Sequence, residues 1–177
     1  MSVTEFIKNI WNKKDAAIWL VFLRVIIGAE WFIAGIGKVI ETAPTFPESM
    51  AGTLGFFATG SPTWMSNWLT SMLPSATALG YLVELGELFI GLALIFGVLT
   101  NISALVGIFF NFLFFFAAGW LSPSTISINW IMWAISIILI LSPGAKKLSI
   151  DGLLSNWKPF LKRWLVDWFG FEKELSK

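Results

Sequence analysis

Four apolar stretches, roughly Ala17 to Ile40, Leu79 to Leu99, Ile102 to Leu121 and Thr125 to Leu141, limit what this chain can become. Each is near the ~20 residues that carry an α-helix across the hydrocarbon of a bilayer. With no water at that depth, backbone N–H and C=O groups must be satisfied within the segment or around a closed barrel. A barrel strand alternates its side chains, and the run Ile108-Phe109-Phe110-Asn111-Phe112-Leu113-Phe114-Phe115-Phe116 has no such alternation. The reading is an all-α membrane protein, a four-transmembrane-helix bundle forming a single membrane domain over residues 1–177. Composition agrees, with 56% hydrophobic and only 13% charged residues.

Basic residues orient the bundle. Lys8, Lys13 and Lys14 precede the first span; Lys146, Lys147, Lys158, Lys162, Arg163, Lys173 and Lys177 follow the fourth; no connecting loop carries any. Both termini are therefore expected on the cytoplasmic side of a cell membrane, the protein being multi-pass. The first run is too long for a signal-peptide core and no small-residue cleavage site follows it, so it reads as a retained span.

Thr100-Asn101 and Ser122-Pro123-Ser124 are tight turns, whereas residues 41–78 form one long extracytoplasmic loop. Between Pro62 and Pro74 in that loop, Trp64, Met65, Trp68, Leu69 and Met72 fall at helical spacing, which predicts an outer interfacial helix with tryptophans at headgroup depth. A Trp-anchored plug without chemistry is the plainer account. In the tail, 142–177, Asn156 can cap a helix that Pro159 begins and that runs to about Phe169. Its apolar Phe160, Leu161, Trp164, Leu165, Trp168 and Phe169 oppose Lys158, Lys162, Arg163 and Asp167, which predicts a cytoplasmic amphipathic helix for the membrane surface or for a partner subunit.

Cysteine and histidine are absent. That removes disulfides, thiolate-ligated iron–sulfur clusters, His-ligated haem, the usual zinc sites and thiol nucleophiles from this chain's own repertoire. A net charge of +1 gives no field that would attract nucleic acid.

The informative residues are charges inside the spans: Arg24, Glu30 and Lys38 in the first, Glu84 and Glu87 in the second. A charge at mid-membrane costs on the order of 3 kcal/mol on insertion scales, so five imply mutual compensation or function. At ~1.5 Å per residue, Glu30, Glu87 and Asn111 fall near the middle, Lys38 and Glu84 nearer the outer face, Arg24 in the inner half. At ~100° per residue, Arg24, Gly28, Gly35 and Lys38 share one stripe of the first helix, and Glu84, Glu87 and Gly91 one stripe of the second. Glycines beside charges predict close packing around a polar seam. Lys38 with Glu84 is the expected ion pair, with Glu30, Glu87 and Asn111 sharing a proton or a ligand's polar head. The competing account is an ion-pair network that only fixes the helices. The aromatics Phe109 to Phe116, Trp120, Trp130 and Trp133 could line a quinone pocket, and facing lipid is the simpler role for them.

Arg24-Val-Ile-Ile-Gly28, Trp31-Phe32 and Gly35-Ile-Gly37-Lys38 resemble the first-span signature of the DoxX/DoxD family. Glu84-Leu-Gly86-Glu87, Gly91-Leu-Ala-Leu94 and Gly97-Val-Leu-Thr100 resemble its second-span signature. The size, the Trp- and Pro-containing outer loop and the basic tail are most similar to the DoxD branch, membrane subunits of archaeal thiosulfate:quinone oxidoreductase. That resemblance implies oxidation of thiosulfate to tetrathionate at the outer side, electrons passed to a membrane quinone of the respiratory chain, and a second subunit, DoxA, as partner. The family positions that carry over are Arg24, Lys38, Glu84 and Glu87. The expectations are then catalytic or proton-handling roles for Glu30, Glu84 and Glu87, and substrate binding by Arg24, Lys38 and Asn111. The alternative is a non-catalytic structural or assembly subunit of a larger respiratory complex. A transporter is disfavoured because neither a repeat pair nor a broken-helix pair is evident.

Overall fold

A computed structural model describes residues 16–157 and 165–169. Among them the ordered elements are helices: α1 (Ala16–Val39), α2 (Phe46–Gly60), α3 (Thr63–Ser71), α4 (Ala76–Phe96), α5 (Thr100–Ala118), α6 (Pro123–Leu141) and α7 (Ile150–Trp157). Short 3-10 turns at Leu73–Ser75, Gly119–Leu121 and Pro143–Lys146 join them. Four helical segments are long and apolar enough to cross a membrane, as expected. The end of the bundle where α1 begins and α6 finishes is called here the terminal end; the opposite end, holding α2 and α3, is the loop end.

The tightest packing is between α1 and α4, which run antiparallel. A Cβ at Gly35 would lie 2.5 Å from the backbone nitrogen of Leu88, and one at Gly91 would lie 2.4 Å from that of Phe32. Only glycine permits backbones that close, which is how spans associate when lipid offers no hydrophobic drive. The interface continues into a core of Ile27, Trp31, Ile90, Leu94, Phe110 and Met132. On the other side α5 and α6 form a hairpin. Pro123 starts α6, and the Ser122 hydroxyl accepts the Thr125 N–H at 3.2 Å, capping the new helix.

Residues 41–78 hold more structure than the single helix expected between Pro62 and Pro74. That helix is present as α3, but α2 precedes it, and Met50, Leu54, Met65, Leu69 and Ala76 bury one another in a separate small core. Met65 and Leu69 thus turn inward, while Trp64 stays exposed and meets Phe116 edge-on at 5.9 Å. The α2 helix was hidden in the sequence by Pro47, Gly52, Gly55 and Gly60, all poor helix formers. Pro47 is tolerated in its first turn, and the Glu48 carboxylate accepts the Thr45 N–H at 2.8 Å.

The tail also differs. Asn156, expected to cap a helix opening at Pro159, lies inside α7, whose start is fixed by the Ser149 hydroxyl, which accepts the Gly152 N–H at 2.9 Å, and by the Asp151 contacts described below. The stretch of the expected amphipathic helix from 158 to 164 lies outside the described residues.

Candidate functional site

Two groups of charged residues sit at opposite ends of α1, and the geometry separates residues that the sequence analysis treated together.

At the terminal end, Arg24 is 1% exposed. Its Nη1 donates to the Ala145 carbonyl at 2.8 Å and, at 3.5 Å, to that of Lys147; Nη2 donates to Leu148 at 3.1 Å. Lys146 folds back over the end of α6 and donates to the carbonyls of Leu139, Ile140 and Ser142 at 2.5, 3.1 and 3.1 Å. Those are carbonyls that a helix C-terminus leaves without an intrahelical partner, and a cation suits the negative end of the dipole. Asp151 performs the converse task for α5: its two oxygens accept the N–H groups of Leu99 and Thr100 at 2.8 and 2.7 Å. Its own N–H donates to the Gly97 carbonyl at 2.9 Å.

The segment after the fourth span therefore stitches α1, α4, α5 and α6 together. Two non-glycine residues there take positive φ, Leu99 at 50° and Leu148 at 52°, and both are gripped directly by Asp151 and Arg24. Gly97 has φ of 66°, and a Cβ on it would come within 2.7 Å of the Arg24 Nη1. Arg24 Nε, Thr100 Oγ1 and the Asn101 amide are buried there without a partner. Burial lowers the Lys146 pKa to about 8, with Asp151 and Asp167 opposing the shift.

Toward the loop end, Lys38 donates to the Glu87 carboxylate at 2.5 Å and to the Ala34 carbonyl at 3.3 Å, and its ammonium lies 5.3 Å from the Phe46 ring centroid. The expected partner was Glu84. The reason for the difference is directional: side chains lean toward the N-terminus of their own helix. Lys38 therefore leans back into the membrane along α1, while Glu84 and Glu87, on antiparallel α4, lean toward the loop end. The cation meets the carboxylate one turn deeper. Glu84 is buried, and its carboxyl has no hydrogen bond or ion pair among the described residues.

Deeper in the bundle, where α1, α4 and α5 converge, two buried donors lack an acceptor, Trp31 Nε1 and Asn111 Nδ2, on residues 2% and 1% exposed. Gly107 brings α5 up to the Trp31 indole, whose Nε1 would lie 3.4 Å from a Cβ there, and Asn111 follows one turn later on the same face. Phe110 and Phe114 close over Trp31, with centroids 6.2 and 6.3 Å away. An unsatisfied buried donor costs about 1 to 3 kcal/mol, so two in one seam mark a place for an oxygen-bearing ligand or ordered water.

Glu30, expected to join Glu87 and Asn111, does not: it is exposed, on the face of α1 turned away from α4. Arg24 stands apart too, at the other end of its helix. What the structure brings into contact is Lys38 and Glu87, with Glu84 one turn away along α4 and Asn111 on the face of α5 that carries Gly107 up to Trp31. Trp31 was not among the expected site residues because in sequence it looks like ordinary core, and Lys146 and Asp151 were not because the one reaches its partners by folding back over α6 and the other's lie far away in the chain. Among the described residues no cluster of His, Cys, Asp or Glu is placed to hold a metal. Of the aromatics, Phe112, Phe115, Trp130 and Trp133 pack on one another between α5 and α6.

In comparisons with known proteins, residues 19–168 match the family model described as TQO small subunit DoxD. No curated protein and no solved structure matches the chain.

Proposed function

The chain belongs to the DoxD family, and on that premise we propose that it is the membrane subunit of a thiosulfate:quinone oxidoreductase, working with a second subunit that resembles DoxA. In the overall reaction two thiosulfate dianions each give up one electron and join through a new S–S bond as tetrathionate. A quinone takes the two electrons and two protons and leaves as quinol. The terminal end then faces the cytoplasm and the loop end the outer side, in keeping with the placement of lysine and arginine.

The single observation that carries this reading is the Lys38–Glu87 pair in a helix packing that also buries unpartnered donors. Trp31 Nε1 and Asn111 Nδ2 suit a quinone carbonyl oxygen, in a seam lined by Phe110 and Phe114. Lys38 and Glu87 form a contact across which a proton can pass, and Glu84 stands a turn nearer the outer side on the same stripe as a further carrier. The positive Lys38, close to the loop end, also suits an anion arriving from outside. Because the chain has neither cysteine nor histidine, the electrons go directly to quinone or through a centre that the partner supplies.

The competing reading is a purely structural subunit. Arg24, Lys146 and Asp151 fit it, since their job is visibly to join helices. Glu84 and the two orphan donors have no such visible task, since their polar atoms join no helix to another among the described residues.

Thiosulfate-dependent quinone reduction by the purified complex tests the proposal. Glu87→Gln and Lys38→Met should each lower turnover by about 100-fold or more while the complex still assembles. Full turnover in stably assembled variants would sink the catalytic seam and leave the structural subunit standing.

A further inference from the structure

The first span carries charge on two faces, and only one is used within this chain. Arg24 and Lys38 look inward and are engaged by backbone carbonyls and by Glu87. Glu30 is exposed on the opposite side and has no hydrogen bond or ion pair among the described residues. It is the fifteenth of the 24 residues of α1, within ~4 Å of the helix midpoint at ~1.5 Å per residue. A glutamate side chain is too short to reach either headgroup layer from there, and it leans toward the helix N-terminus and so no closer to the nearer surface.

The face around Glu30 has the form of a helix-docking seam. Phe22, Ile26, Glu30, Ile33, Gly37 and Ile40 are all exposed and recur at steps of three or four, the period of a left-handed helix pair. A Cβ on Gly37 would meet nothing within 4 Å, so another backbone can approach closely there. Charge complementarity selects the occupant. A second copy of this chain brings only another Glu30 to the same depth, because Arg24 and Lys38, its described intramembrane cations, are already engaged.

We infer that this face of α1 receives a transmembrane helix of the partner subunit, one with a lysine or arginine near its middle that pairs with Glu30. The inference stands on the geometry of α1, independent of what the seam at Glu87 does, and its test needs neither thiosulfate nor quinone.

The chain contains no cysteine, so a single Thr42→Cys, at an exposed position beyond α1, can carry one donor dye. The full chain is reconstituted in phosphatidylcholine vesicles with acceptor-labelled synthetic leucine helices of about 20 residues, one with a central lysine and one with leucine throughout. Energy transfer should appear with the lysine helix at an effective affinity about tenfold or more above that of the leucine helix. Both Glu30→Leu and the seam-filling Ile33→Trp should remove that preference, while the helical circular dichroism of the folded chain stays unchanged. Equal transfer from the two peptides would overturn the inference, as would a lysine preference that survives Glu30→Leu. Transfer between labelled copies of the chain itself, abolished by Glu30→Leu, would overturn it in favour of self-association.

Discussion

The two ends of α1 use charge in different ways. At the terminal end, Arg24 and Lys146 spend their donors on backbone carbonyls, and Asp151 accepts from backbone amides. Those partners are backbone groups that neither take up nor release a proton, so the arrangement serves to fix helix ends. Toward the loop end, Lys38 is held by the carboxylate of Glu87, with the carboxyl of Glu84 one turn away. Both members of that pair are side chains, and proton movement between them needs no break in secondary structure. A buried charge matched to backbone is a fastening; one matched to another side chain can be a switch.

Breaking the fastening should give the largest loss. Arg24→Met leaves the carbonyls of Ala145 and Leu148 without their buried donors and removes a cation that faces Asp151, which should destabilise the chain by about 3 to 5 kcal/mol. Detergent-solubilised unfolding followed by tryptophan emission would measure it. Whatever fraction stays folded should keep normal turnover per molecule. A folded Arg24→Met protein with a selective loss of turnover would erase the distinction between the two ends.

The next experiment sharpens the contrast with a double-mutant cycle at the seam. Lys38→Met and Glu87→Leu should each cost about 2 kcal/mol of stability, because the first strands a buried carboxylate and the second a partly buried ammonium, and the combination should recover most of that loss. Turnover should stay absent in all three variants. Recovery of stability together with turnover would mean that the pair serves packing alone.

The sequence disclosed much of this. Spans, their number and the polar stripe on α1 and α4 were legible because hydropathy and ~100° periodicity are local properties. The pairing of Lys38 with Glu84 was not, since depth along two antiparallel helices places both carboxylates within reach and only the lean of the side chains decides. Glu30 was grouped with Glu87 by depth although its angle already put it on another face. Asp151 and Lys146 had no local signal at all: one caps a helix that begins 51 residues earlier than itself, the other closes the end of α6 by folding back. The helix α2 was obscured by its glycines, whose low propensity is overridden by burial of Met50 and Leu54.

A smaller effect follows from the cap that the tail supplies to α5. Asp151→Asn keeps one acceptor oxygen, so one of the N–H groups of Leu99 and Thr100 loses its partner, and the charge facing Arg24 and Lys146 disappears. Stability should fall by about 1 kcal/mol. In hydrogen exchange the amides of Leu99 and Thr100 should open first, while the amides of α4 around Glu87 keep their protection. Loosening that spread to Glu87 would show that the two ends are coupled through α4.

The smallest effect is a pH dependence confined to the terminal end. Buried under carbonyls, Lys146 has its pKa brought down to about 8 from the ordinary 10.5. Between those two values the folded chain binds fewer protons at this site than the unfolded chain, so stability must rise with pH across that window. Half-titration near 8 makes the gain about 0.7 kcal/mol from pH ~7.5 to ~8.5. Above the midpoint the folded chain has given up nearly all of this proton while the unfolded chain still holds it, so the rise should steepen until pH approaches 10.5. Lys146→Met should start from a lower stability and lose the slope entirely. If the slope persisted in that variant and vanished instead in Lys38→Met, the titrating group would belong to the seam, and the division between an inert fastening and a proton-bearing pair would have to be redrawn.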